Sequence, residues 1–149
     1  MTAQMNMPPS AVESIPVFEV DSFGNQLVGN QDGILLIQAV LATTNQVSAD
    51  MQQINQRGVK LFLDVTAIGI GGALIVIVEA KDTVSGKYIP LFTLGVAIAV
   101  IGTTMYTIYP GLAVAANIVS DVLPKTWRSR VTGLAAGGSS FTLSAAYLS

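Results

Sequence analysis

The chain has 149 residues, 51% of them hydrophobic and only 11% charged, with a formal net charge of −2. That is enough for one domain with a real core, but far short of the roughly 25% charge of an average soluble domain, so neighbours are expected to cover part of its surface. The charge favours neither nucleic acid nor an anionic membrane as partner, and without Cys or His the chain lacks a disulfide framework, the commonest general bases and the usual zinc ligands.

Residues 1–33 are rich in Pro, Asn, Gln, Ser and Gly, with two short apolar patches, "IPVFEV" and "NQLVG". They are expected to form an extended N-terminal arm that becomes ordered against something else, with one hairpin through "DSFGNQ". The segment lacks the basic-then-apolar layout of a secretion signal. Residues 1–56 hold five acids and no Lys or Arg, whereas residues 57–149 hold all seven basic residues and four acids. An acidic arm before a mildly basic body could help subunits meet head to arm. Phe18 and Phe23, the arm's aromatic residues, are candidate interface positions.

Residues 34–149 are expected to form one β-sandwich domain, jelly-roll-like, of about eight strands. "GILLIQAVLATT" begins it, and the Gln/Asn-rich "NQVSADMQQINQRG" reads as a helical turn or a loop. "VKLFLDVTAI" alternates, with Val59, Leu61, Leu63, Val65 and Ala67 on one face and Lys60, Phe62, Asp64, Thr66 and Ile68 on the other. That is the period of a strand. "ALIVIVEAKD" repeats it with Leu74, Val76, Val78 and Ala80, starting apolar on both faces and emerging into solvent at Glu79 and Lys81. "DTVSGKY" supplies turn residues that join it to "YIPLF" as a hairpin. "VAIAVIG", "TMYTIYPG" and "LAVAANIVSD" follow as further strands. "TWRSRVTG" sets Trp127, Ser129 and Val131 against Arg128 and Arg130, and "SSFTLSAAYLS" lines up Phe141, Leu143, Ala145 and Tyr147. Strands at intervals near ten residues are the spacing of a sandwich or jelly roll.

A membrane helix is the rival for the uncharged middle, since "LFTLGVAIAVIGTTMYTIY" (91–109) is 19 residues long, enough to cross about 30 Å of hydrocarbon. Nine of those residues are β-branched, three are aromatic and only two are Leu, a composition that favours a pleated surface. No Lys or Arg cluster flanks either end. The sheet is the better reading, with a holin-like small membrane protein as the alternative.

Catalytic motifs fail on inspection. "GGSSF" lacks the glycine spacing of a nucleophile elbow. "IGIGGAL" places Leu74 where a dinucleotide loop needs its third glycine, and "VSGKY" lacks the rest of a phosphate loop. No enzyme, cofactor or metal is expected. Trp127, Arg128 and Arg130 have two readings: an interface anchor of types enriched in hot spots, or a core Trp with solvated arginines opposite. A carbohydrate- or host-binding module ranks last, since Trp127 and four Tyr are the only sugar platforms and do not cluster.

The stretches "LFLDVTAIG", "VIVEAKDTVSGKYIPL" and "TTMYTIYPGLAVAANIVSDVLPKTWRSRVT" resemble a group of small structural proteins of tailed bacteriophages, over roughly residues 34–148. The group's D-V-T-A, its K-D-x-V-S-G-K-Y turn, its Y-P-G and its D-V-L-P-x-T-W-R all have counterparts here. Lys125 stands at a usual Arg, and "IGIGGALIVIV" and "VAIAVIG" are greasier than the group's Ser-, Thr- and Pro-containing strands. The resemblance implies a virion component on the capsid exterior. That is a decoration or cement protein bound between subunits of the major capsid protein, or else a neck or tail-associated protein. It also implies a homo-oligomer, with a trimer as the first expectation, and neither nucleic acid nor membrane as partner.

Overall fold

A computed structural model describes residues 31–149. Phe18, Phe23 and nearly all of the expected arm lie outside the described residues. Among the described residues, ten strands make two sheets. The first sheet holds β1 (Gln31–Ala42), β10 (Ser139–Leu148), β4 (Gly58–Ala67), β7 (Gly102–Ile108) and β8 (Ile118–Val119), in that order. The second has the order β2 (Gln46–Val47), β9 (Thr126–Thr132), β5 (Leu74–Lys81) and β6 (Tyr88–Ile98), with β3 (Met51–Gln52) also on β9. All pairs are antiparallel except β7 with β8. The expected all-β class holds.

The period-two faces fix which side of each strand is buried. Val59, Leu61, Leu63 and Val65 from β4, Leu74, Val76 and Val78 from β5, and Phe141, Leu143, Ala145 and Tyr147 from β10 all enter one core. Ile37, Leu94, Tyr106, Ile108 and Leu123 complete it with Trp127 and Val131. Each fully buried aliphatic side chain contributes roughly 1.5–3 kcal/mol relative to exposure.

Four local expectations are corrected. The first strand starts at Gln31, so residues 31–33 belong to the sheet and not to the arm. The polar stretch after β1 is no helical turn: β2 and β3 run along β9 as one interrupted strand, and Ser48 closes the gap through Ser48 N–Ser129 O and Ser129 N–Ser48 Oγ bonds of 2.9 and 3.0 Å. Tertiary pairing there outweighs weak local propensity. "YIPLF" and the first three residues of "VAIAVIG" (96–98) belong to one strand, β6, in which two extra residues opposite Leu74–Val76 form a bulge at Gly95. Gly95 has φ of +63°, and a Cβ there would press on Tyr106 and Asn117, so glycine permits both the bend and the close approach. "LAVAANIVSD" is mostly a loop that contributes only Ile118–Val119 as a strand.

The uncharged middle divides between the sheets. β6 pairs with β5 and β7 with β4, and residues 99–101 cross from one sheet to the other. No helix among the described residues is long and apolar enough to cross a membrane.

Candidate functional site

The outer face of the second sheet gathers most of its charge into one array. Alternation in β9 sends Trp127 inward and Arg128 and Arg130 outward, and the register places Arg128 opposite Glu79 and Arg130 opposite Ile77 on β5. Arg128 Nε donates to Glu79 Oε2 at 2.7 Å. Arg130 Nε stands 2.8 Å from Glu79 Oε1 as an ion pair without an aligned hydrogen bond. Glu79 is thereby only 3% exposed, although its position near the end of an emerging strand suggests a solvated carboxylate. Two guanidinium groups compensate what burial of one lone charge would cost.

The array continues sideways through the β5–β6 hairpin. The Arg128 guanidinium carbon lies 3.3 Å from the centroid of the Tyr88 ring, a cation–π stack. Tyr88 Oη donates to Asp50 Oδ1 at 2.6 Å, and Lys81 Nζ donates to Asp50 Oδ2 at 2.5 Å. The Lys81 ammonium, and after it the Tyr88 hydroxyl, hold the Asp50 carboxyl below the usual carboxylate range. Asp50 in turn raises the Lys81 ammonium above its ordinary value. Asp50 comes from the gap between β2 and β3, so three strands and a loop meet here.

Of the candidate interface residues, Arg128 and Arg130 lie at this surface and Trp127 does not. Trp127 is fully buried between the sheets, so it has no area to offer a partner, and the reading of Trp127 as an interface anchor gives way to that of a core residue. The arginines, 24% and 29% exposed in their side chains, are paired ions and not freely solvated ones. Sequence reading missed Glu79, Lys81, Tyr88 and Asp50 as members. The signal available was the outward parity of Glu79 and Lys81 on a strand and of Arg128 and Arg130 on another; the pairing of the two strands was not available.

Protein-family models, curated proteins and solved structures yield no match to the chain.

Two other surface features are chemically quieter. An open depression of about 670 Å³ is lined by Gln52, Gln53, Ile54, Asn55, Gln56 and Lys125. Gln53 Nε2 donates to Leu123 O at 2.6 Å, and Gln56 Oε1 accepts from Ile54 N at 2.6 Å, while Gln53 Oε1 is buried without a hydrogen-bond partner. On the outer face of the first sheet, Leu35, Ser144, Phe62 and Met105 stand in one register row across β1, β10, β4 and β7. The next row is polar: Gln38, Thr142, Asp64 and Thr103, with Thr103 Oγ1 donating to Asp64 Oδ1 at 2.7 Å. No group of three or more potential metal ligands occurs among the described residues.

Proposed function

We propose that the chain is a structural protein of a tailed-phage virion, a decoration or cement protein that binds the outside of the head between major capsid protein subunits and stabilises the shell. The observation that carries this reading is where the phage-like stretches meet. "VIVEAKDTVSGKY" and "LPKTWRSR" are separated by more than thirty residues, yet Glu79, Lys81 and Tyr88 from the first and Arg128 and Arg130 from the second form a single surface array. Two of the phage-like stretches therefore meet on one face, the kind of surface that fixes the register of a partner through charge arrangement.

Strand order supports the same reading. If β2 and β3 count as one strand and the two-residue β8 is set aside, the sheets run β1-β10-β4-β7 and β2-β9-β5-β6. Successive strands switch sheets except at the β5–β6 hairpin. That order supports reading the sandwich as an eight-strand jelly roll, an architecture used by viral capsid proteins and also by lectins and cupins. Fold alone does not choose among these; the phage-like stretches make the choice.

In this reading Arg128 and Arg130 face the shell; the arm expected over residues 1–33 lies almost entirely outside the described residues. The assembled unit is a homo-oligomer about a local symmetry axis, a trimer in its simplest form. Quantitative mass spectrometry of purified particles tests the assignment: many copies per head are expected, together with shells that rupture at a lower temperature when the gene is deleted. A handful of copies per particle would place the protein at the neck or tail instead, and absence from particles would refute a virion role.

A further inference from the structure

Asp32 is the only Asp or Asn of the chain that a glycine follows. Ser, Thr, Met, Val, Ile or Gln follows each of the others, and its side chain crowds the amide nitrogen beside the acid or amide group. Gly33 leaves that nitrogen uncrowded. At an Asp–Gly step the carboxyl group can close a five-membered ring onto the next nitrogen wherever the backbone can turn to let them meet. A regular strand resists this, because its ladder holds the backbone extended.

The sheet relaxes that restraint at Asp32. Gln31 pairs with Tyr147 and Ile34 with Ala145, so Asp32 and Gly33 stand together opposite Ala146. Two residues against one make a β-bulge, which locally disrupts the ladder. Gly33 takes φ of +73°, and a Cβ built there would meet nothing within 4 Å. The bulge thus lies in open space, at a backbone angle that a regular strand does not use. β1 is also an edge strand: among the described residues it has β10 on one side and no strand hydrogen-bonded to the other.

The carboxyl group is unengaged as well. Asp50 accepts from Tyr88 and Lys81, Asp64 from Thr103, Asp82 from Val84 and Ser85, and Asp121 from Val122. Asp32 is exposed and has no such bond or ion pair among the described residues. Sequence, backbone and side chain coincide at this one step.

We propose that Asp32 isomerises spontaneously to isoaspartate, giving the protein a covalent clock at the start of β1. The Gly33 amide nitrogen attacks Cγ of Asp32. A C–N bond forms, the C–OH bond of the protonated carboxyl group breaks, and the hydroxyl leaves as water with the amide proton. The succinimide so formed takes water back. Addition at the side-chain carbonyl restores aspartate, whereas addition at the main-chain carbonyl leaves a backbone that runs through Cβ. The isomer has the mass of the original chain, and neither oxidant nor cofactor enters.

The fold is placed to tolerate the change. Isoaspartate adds one carbon to the backbone ahead of Gly33 and so puts Gln31 out of step with Tyr147. The pairs from Ile34 to Ala42 lie beyond it, and the core positions of β1, Ile37 and Ala39, are among them. The inference does not depend on a virion role.

Ageing the full chain for weeks at neutral pH tests it, with isoaspartyl methyltransferase labelling to count the product. Endoproteinase Asp-N, which cuts before aspartate but not before isoaspartate, locates it. Resistance of the Gln31–Asp32 bond should grow with time, with at least about tenfold more isoaspartate at Asp32 than at Asp50, Asp64, Asp82 or Asp121, where no glycine follows. Asp32→Glu would need a six-membered ring and should abolish the label at this position. Asp32→Asn, which expels ammonia in place of water, should accelerate it. The same chain held unfolded in urea sets the unrestrained rate, and the folded rate should lie within about tenfold of it because the bulge leaves the step loose. The thermal unfolding midpoint should not change with age. Stronger suppression in the folded chain, isoaspartate spread evenly over the other Asp residues, or an undiminished label in Asp32→Glu overturns the proposal. A midpoint that falls as the isomer accumulates overturns the tolerance argued from the register of β1.

Discussion

Trp127 and Tyr147 meet edge to face between the sheets, their ring centroids 6.1 Å apart at 89°, and Trp127 Nε1 donates to Tyr147 Oη at 3.2 Å. Tyr147 Oη donates onward to Gln52 O at 3.1 Å. One relay thus ties β9, β10 and β3 together where an all-hydrocarbon core would have no directional contact.

Tyr147→Phe removes this relay at constant ring shape, leaving the indole N–H and the Gln52 carbonyl without their partner. An unmade buried hydrogen bond costs about 1–3 kcal/mol, so a loss of about 2 kcal/mol is expected. Trp127→Ala removes the largest core side chain and should cost about 3–5 kcal/mol. Urea unfolding of Tyr147→Phe, followed by fluorescence of the single Trp, should show a lower midpoint with an unchanged slope.

Alkaline pH should destabilise the fold through the same pair of phenols that fill the core. Burial raises the Tyr106 hydroxyl above its ordinary value of 10.0, and burial raises Tyr147 likewise against a smaller opposing effect of the Trp127 bond. Each folded phenol keeps its proton at a pH where the unfolded one has lost it. The native state then binds more protons, so stability is intact below about pH 10 and declines as pH rises beyond it. Melting temperature measured from pH 8 to 11 should fall at the top of this range, and Tyr106→Phe should flatten the fall. The Lys81–Asp50 pair weakens in the same direction but at the surface, where screening limits its effect.

Glu79 and its two arginines should behave asymmetrically. Replacing both Arg128 and Arg130 by Met strands a carboxylate that is 3% exposed, and an orphaned buried charge costs about 3–5 kcal/mol. The partial exposure of the array brings the expectation to the low end of that range. Glu79→Gln leaves guanidinium groups that can turn to water and should cost about 1 kcal/mol. Combining all three changes should restore part of the loss, and a mutant cycle in guanidinium-free denaturant measures the coupling.

Asp82 organises the β5–β6 hairpin. Its carboxylate accepts from Val84 N at 3.0 Å and from Ser85 Oγ at 2.5 Å, while its carbonyl accepts from Gly86 N at 2.7 Å. The Ser85 hydroxyl, and then the Val84 amide, hold the carboxyl below its ordinary value. Asp82→Ala should loosen the turn by about 1 kcal/mol and speed hydrogen exchange at Gly86 more than at Val76 in the strand interior. Equal acceleration at both amides would show that the turn opens only with the whole sheet.

Sequence by itself determined the class of the fold and the inward face of its long strands. Val59, Leu61, Leu63 and Val65, or Phe141, Leu143, Ala145 and Tyr147, announce their side of a sheet because a strand alternates residue by residue, a property of local covalent geometry. The "DTVSGK" turn was legible for the same reason, since its bonds span only a few residues. Tertiary structure alone decided the rest. The strands β2 and β3 exist because β9 offers them partners about eighty residues away. Bulges in β1 and at Gly95 come from fitting a longer strand to a shorter one. Glu79 is buried because Arg128 and Arg130 lie on the neighbouring strand, and uncharged runs that imitate a membrane span are pairs of strands joined by an uncharged turn. Each of these depends on which segments lie side by side, and that is fixed by the energy of the whole packed core, not by any window of sequence.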